Sequence, residues 1–194
     1  MDQRVADFLE ELYADGRAHD AVLEDRLARR RNVEPDTARL LSLLIRAKGA
    51  RDVLELGTSN GYSTLWLAEA VGATGGRVVS IDVEEDRTLQ AAANLARAGL
   101  RDAVELRTGD AAELLRASPD GAWDLIFLDA ERPAYVAYWP DLVRVLRPSG
   151  LLAVDNVLSH ADQVADFRAT VEADPRVSWA LAPTGAGALL AVRG

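Results

Sequence analysis

The chain has 194 residues, 49% of them hydrophobic, and its 22 Lys plus Arg against 31 Asp plus Glu give a net charge of −9. That suits one domain with a buried core; no apolar run approaches the roughly 20 residues that cross a bilayer, and the acidic start lacks the basic opening of a secretory signal. The absence of cysteine excludes a disulfide scaffold, a thiolate metal site and a Cys nucleophile, and the acidic balance opposes bulk binding to nucleic acid, so the expectation is a cytoplasmic, enzyme-like domain.

Val5, Phe8, Leu9, Leu12 and Tyr13 recur at helical spacing and mark a first helix. A break is predicted at Asp15-Gly16, then a second helix near 20–31, and Pro35 opens a third over 36–48 that ends at Gly49. From there apolar runs alternate with helical patterns. VLEL (53–56), RVVSI (77–81), VELR (104–107), DLIFL (124–128) and LLAV (151–154) read as strands, with helices near 61–71, 84–98, 110–117, 133–146 and 160–173. Near-continuous apolar strands suit a parallel sheet covered on both faces. VSWALA (177–182) and ALLAVR (188–193) close the chain. The short linker 183–187 cannot make a parallel crossover, so these two strands are antiparallel neighbours. The expected class is α/β: a doubly wound, seven-stranded, mostly parallel sheet with an antiparallel last strand. A single domain is expected, with a helical cap (1–34) on a Rossmann-like core (35–194). A sheet ending in such a hairpin resembles the class I S-adenosylmethionine-dependent methyltransferases.

Ligands of open α/β sheets bind beyond the carboxyl ends of the strands. The first such end carries Gly57 and Gly61 as G-x-x-x-G, not the G-x-G-x-x-G of dinucleotide sites. Glu55 there opposes a pyrophosphate and suits an amino acid's ammonium. Asp82, 25 residues after Gly57, suits ribose hydroxyls, and Gly109-Asp110-Ala111 is placed to border an adenine. Taken singly, Asn60-Gly61 reads as a turn and Asp82 or Asp110 as helix N-caps. Together, at three successive strand ends, they point to a cofactor.

The segment ELGTSNGYSTLWLA (55–68) matches the signature E-[IL]-G-x-x-x-G-Y-S-[TA]. From about Asn32 to its end the chain resembles the cation-dependent O-methyltransferase family, which includes catechol and caffeoyl-CoA O-methyltransferases. Asn32-Val33 stands where that family places a cofactor-lining Asn-Val pair. The resemblance implies S-adenosylmethionine held by Val33, Glu55, Gly57, Thr58, Ser63, Asp82, Ala111 and Asp129. It also implies Asp129, Asp155 and Asn156 as ligands of Mg²⁺, Mn²⁺ or Ca²⁺. The chemistry agrees: Asp129 and Asp155-Asn156 follow neighbouring strands and offer hard oxygen donors suited to such a cation. Asp155-Asn156 also reads as a turn or helix cap. The implied reaction is methylation of a small phenolic or catechol-like hydroxyl, activated by the cation.

One position departs from the family. Its pattern D-x-x-K-x-x-Y, in which Lys is the general base, appears here as Asp129-Ala130-Glu131-Arg132-Pro133-Ala134-Tyr135. A guanidinium does not deprotonate, so Arg132 cannot be that base, although it can stabilise a phenolate or clamp an anion. Arg132 and Asp129 remain the catalytic candidates. Lys48, the only lysine, precedes the first strand at the opposite edge. His160 is a second candidate base or a first-turn residue behind Ser159 as N-cap, and His19 is a surface residue. Tyr135, Tyr138 and Trp139 line an aromatic pocket, make a subunit contact or simply pack. Arg26, Arg29, Arg30 and Arg31 form a solvated helix face or a grip on a phosphate-bearing substrate such as tRNA, since bacterial relatives include enzymes that methylate hydroxylated uridine. Two other readings are therefore a tRNA methyltransferase and a cofactor-binding protein without catalysis. Relatives imply a homodimer.

Overall fold

The computed structural model describes residues 1–25 and 28–194. The apolar runs form β1 (Asp52–Leu56), β2 (Arg77–Asp82), β3 (Val104–Thr108), β4 (Trp123–Leu128), β5 (Leu146–Val154), β6 (Val177–Ala182) and β7 (Ala188–Arg193). Their order is β3-β2-β1-β4-β5-β7-β6. β1 to β5 pair in parallel, and β7 runs antiparallel between β5 and β6. This is the expected sheet, with the terminal hairpin at the expected bounds.

The α-helices are α1 (Gln3–Ala21), α2 (Pro35–Lys48), α3 (Tyr62–Gly72), α4 (Glu85–Arg97), α5 (Ala111–Ala117), α6 (Tyr135–Val145) and α7 (Ala165–Ala173). Alternate strand residues feed two cores because successive side chains leave opposite faces. Leu54, Ile126 and Leu128 pack with Leu115, Leu142 and Phe167. Val53, Leu125 and Phe127 pack with Leu9, Leu41, Ile45 and Leu65. Gly49 caps α2 in the left-handed conformation, φ 67°, as its sequence position predicts. Among the described residues no helix is long and apolar enough to cross a membrane.

The N-terminal segment departs from expectation. There is no break at Asp15-Gly16, and α1 runs through it to Ala21. Gly16 is buried, and a Cβ there would overlap the Asn32 amide. It marks a close approach, not a stop. The helix predicted over 20–31 is absent among the described residues. Asp20 accepts the backbone N–H groups of Arg30 (2.7 Å) and Arg31 (2.8 Å), and the Arg29 guanidinium donates to the Leu23 carbonyl at 2.6 Å. A side chain that satisfies the backbone this way competes with helix formation. Arg26 lies outside the described residues. The last helix starts at Ala165 after a 3₁₀ turn, Ala161–Gln163, and its N-cap is Val164, so Ser159 does not cap it. Pro140 lies inside a continuous α6.

Candidate active site

The carboxyl ends of three central strands are tied level by backbone hydrogen bonds. Gly57 N donates to Ile81 O (2.9 Å), Asp129 N to Leu56 O (3.0 Å) and Asp155 N to Leu128 O (3.2 Å). Gly57, Asp129 and Asp155 thereby sit side by side. Above this row lies a cavity of about 340 Å³. Val33, Gly57, Thr58, Ser63, Asp82, Ala111 and Asp129 line it, and Glu55 does not.

The turn after β1 is built around Asp82. One carboxylate oxygen accepts from Thr58 N (3.1 Å) and Ser59 N (2.8 Å), and the other from Glu84 N (3.1 Å). Asp82 does not cap α4, whose N-cap is Glu84; it is the post on which the loop folds. Asp110 does cap α5, accepting from Ala112 N at 2.7 Å, which is the commoner role of such a residue.

Glu55 is fully buried beneath the turn. Its Oε2 accepts from Thr64 Oγ1 (2.5 Å) and Ser80 Oγ (2.6 Å), and Oε1 has no partner. Burial pushes this carboxyl up to about 7, outweighing the hydroxyls of Ser63, Ser80 and Thr64 that favour the anion. A raised folded-state value adds stability below the ordinary glutamate range, and that stability is lost as pH rises through about 7. Unfolding of Glu55→Gln in denaturant should therefore lack this decline. Its stability relative to wild type should rise by a few kcal/mol from mildly acidic to mildly alkaline pH. A constant difference across that range refutes the assignment.

The rim beside Gly57 holds two facing carboxylates. Asn156, in the left-handed conformation (φ 65°), donates Nδ2 to Asp129 Oδ1 (3.2 Å) and Asp155 Oδ2 (3.0 Å). Asp155 is buried, and its Oδ1 has no partner. Burial pushes both carboxyls well above the usual range; the Asp129 charge raises Asp155 further, while Arg31 and Arg132 pull Asp129 back. Among the described residues no group of three or more His, Cys, Asp or Glu side chains converges. Two carboxylates and an amide oxygen fit a hard divalent cation, as does the orphaned Asp155 oxygen; the Asn156 amide here turns Nδ2 to the carboxylates, so its Oδ1 would have to turn in to join the set.

Cations line the cavity as well. Arg29, Arg30 and Arg31 line the cavity not as a solvated helix face but as an irregular strand of chain. Arg31 Nη2 meets Glu131 at 3.1 Å, and Ser59 Oγ donates to the Arg30 carbonyl at 2.8 Å. Arg132 and His160 also line the cavity. Of the three aromatic residues, Tyr138 lines it, whereas Tyr135 and Trp139 are packed in the core. Tyr135 donates to the Ala130 carbonyl (2.9 Å) and Trp139 to Asp174 (2.9 Å). Lys48 donates to the Ser149 carbonyl, away from the site. Val83 and Arg87 also line the cavity and went unremarked in the sequence. Their signal was position: each follows the strand-end acid Asp82 within a turn or two of chain.

A sequence model of the O-methyltransferase family matches residues 9–194. The catechol O-methyltransferase of Niastella koreensis is 37% identical over 130 residues, covering 66% of this chain and 58% of the relative. That of Mycobacterium tuberculosis is 40% identical over 126 residues, covering 65% of this chain and 57% of the relative. The matched region thus spans less than two thirds of these relatives' length. Among solved structures, the O-methyltransferase from Bacillus cereus in complex with SAH is 30% identical, with a TM-score of 0.79 and coverage of 100% of this chain and 92% of the other. The O-methyltransferase TomG from Streptomyces achromogenes, in complex with SAM, is 28% identical with a TM-score of 0.78, covering 100% and 90%.

Proposed function

The chain belongs to the O-methyltransferase family, and from that premise we propose that it methylates a hydroxyl of a small phenolic or catechol-like acceptor. The observation that carries this reading is one cavity shared by the Gly57–Ser63 turn and the Asp129/Asn156 rim. S-adenosylmethionine would supply an electrophilic methyl group on a sulfonium. A divalent cation on Asp129, Asp155 and Asn156 would act as a Lewis acid that lowers the pKa of a bound hydroxyl.

The chain's own residues do the rest. Asp82 fixes the Thr58 and Ser59 amides, so the turn that receives the donor is organised before it arrives; such preorganisation is what orientation effects require. Val33 and Ala111 give the donor's side of the cavity apolar surface. Arg132 brings a permanent positive charge that favours an anionic acceptor but takes no proton. His160 lines the same cavity, its Nδ1 2.9 Å from Ser159 Oγ, and an imidazole can accept a proton near neutral pH. The relatives named catechol O-methyltransferases support the acceptor class.

The test is mass spectrometry of catechol-type acceptors incubated with the protein and S-adenosylmethionine, with and without EDTA. Transfer of one methyl group to a hydroxyl, stopped by EDTA and restored by Mg²⁺, is the expected result. Turnover indifferent to EDTA would remove the cation from the reading. Donor binding with no transfer to any such acceptor would leave a cofactor-binding protein or one that acts on another substrate.

A further inference from the structure

Five arginines line the cavity of a chain whose net charge is −9, and one of them stands apart. Arg132 is only 7% exposed. Its Nη1 donates to Gln163 Oε1 at 3.2 Å, and its Nε has no hydrogen-bond partner. It forms no ion pair among the described residues, whereas Arg31 is matched by Glu131. The other cavity-lining carboxylates are committed: Asp82 to three backbone amides, and Asp129 to the rim with Asn156. A buried guanidinium with an idle N–H is costly unless a ligand completes it. Nη1 gives one of its two N–H groups to Gln163, whereas Nε meets no protein group among the described residues, and the Nε edge of the fork matches a carboxylate.

We infer that the acceptor carries a carboxylate, and that Arg132 is the specificity-determining residue that seats it. The inference deepens the methyl-transfer reading by naming the charge of the acceptor. A nucleic acid is disfavoured as the source of the anion, because a phosphate backbone needs an exposed basic track. Arg132 is instead buried, unlike the other four arginines that line the cavity.

Equilibrium titrations of benzoate, protocatechuate and catechol into protein saturated with S-adenosylhomocysteine and Mg²⁺ test this. Protocatechuate should bind wild-type protein roughly tenfold or more tightly than catechol, the size of a charged hydrogen-bonded contact. Arg132→Gln should weaken benzoate and protocatechuate by a similar factor, with catechol and S-adenosylhomocysteine little changed. Arg132→Lys, which keeps the charge and loses the fork, should fall between. The wild-type comparison stands even if a variant folds poorly. Benzoate has no hydroxyls, so its dependence on Arg132 is read independently of methyl transfer. If benzoate depends on Arg132 while protocatechuate is never methylated, the reaction is misassigned and the carboxylate seat survives. Equal wild-type affinity for protocatechuate and catechol would overturn the seat. Parallel weakening of all probes in Arg132→Gln would make the residue structural and overturn it too. Loss of S-adenosylhomocysteine alone would assign Arg132 to the donor's carboxylate, and displacement of benzoate by lower concentrations of inorganic phosphate would assign it to a phosphorylated acceptor.

Discussion

Replacing Asp155 with Asn is expected to abolish saturable Mg²⁺ binding while making the metal-free protein more stable above neutral pH. The two effects share a cause. Asp129 and Asp155 leave adjacent parallel strands in register, Leu128 opposite Val154, which holds the two residues side by side. Both are held above the ordinary carboxylate range by burial, with mutual repulsion added for Asp155. Groups raised in this way contribute stability while protonated, and that contribution is lost as pH rises through their raised values. Metal-free wild-type protein should thus melt at progressively lower temperature as pH rises from the acidic range. Mg²⁺ at about a hundred times its dissociation constant should restore about 2.7 kcal/mol, roughly 5 to 10 °C. Asp155→Asn keeps the shape and removes one buried charge from the donor set, so it should show no rescue and a smaller decline, the part due to Asp129 and Glu55 remaining. Thermal melts with EDTA and with Mg²⁺ across the pH range decide it. A Mg²⁺ shift that persists in the variant removes the cation from this rim, and a wild-type midpoint that ignores pH refutes the raised carboxyls.

The strands were legible because each is a short apolar run bounded by turn residues, and the 183–187 linker was too short to leave the direction of β7 open. The rim was legible for the same reason: strand ends set positions, and Asp129 and Asp155-Asn156 follow strands that had to be neighbours. The region 20–31 was not legible. Its charged and apolar residues carry a helical period, but the long-range capture of the Arg30 and Arg31 amides by Asp20 leaves no local mark in the sequence. Gly16 misled in the same way: a glycine that admits the Asn32 side chain from a distant segment looks like a stop. Side-chain direction was the other blind spot. Glu55 and Tyr135 sit at positions adjacent to the cavity, yet both are turned into the interior, where Thr64 and Ser80 hold one and the Ala130 carbonyl the other.

Gly57→Ala is expected to cost about 3 kcal/mol or more of stability and to weaken donor and Mg²⁺ binding together. From sequence this glycine reads as space for a cofactor. The structure gives the space to the protein. Gly57 has φ 105°, and a Cβ there would fall on the Asp129 carbonyl, with the carbonyl carbon at 2.8 Å. The obstacle is backbone held by its own ladder bond, Asp129 N to Leu56 O, so relief requires displacement of the β4 end. That displacement carries Asp129 away from Asp155 and opens the floor of the cavity, which is why two binding events should fail at once. Gly49→Ala supplies the control. Its φ of 67° is left-handed too, but a Cβ there meets nothing within 4 Å, so only the conformational cost of about 1 kcal/mol applies. Paired denaturant titrations, with calorimetric titration of S-adenosylhomocysteine and of Mg²⁺, separate the two. Equal losses at Gly57 and Gly49 would reduce the first to conformation alone. Donor affinity lost with Mg²⁺ affinity intact would return Gly57 to a direct contact with the donor and leave Asp129 undisturbed.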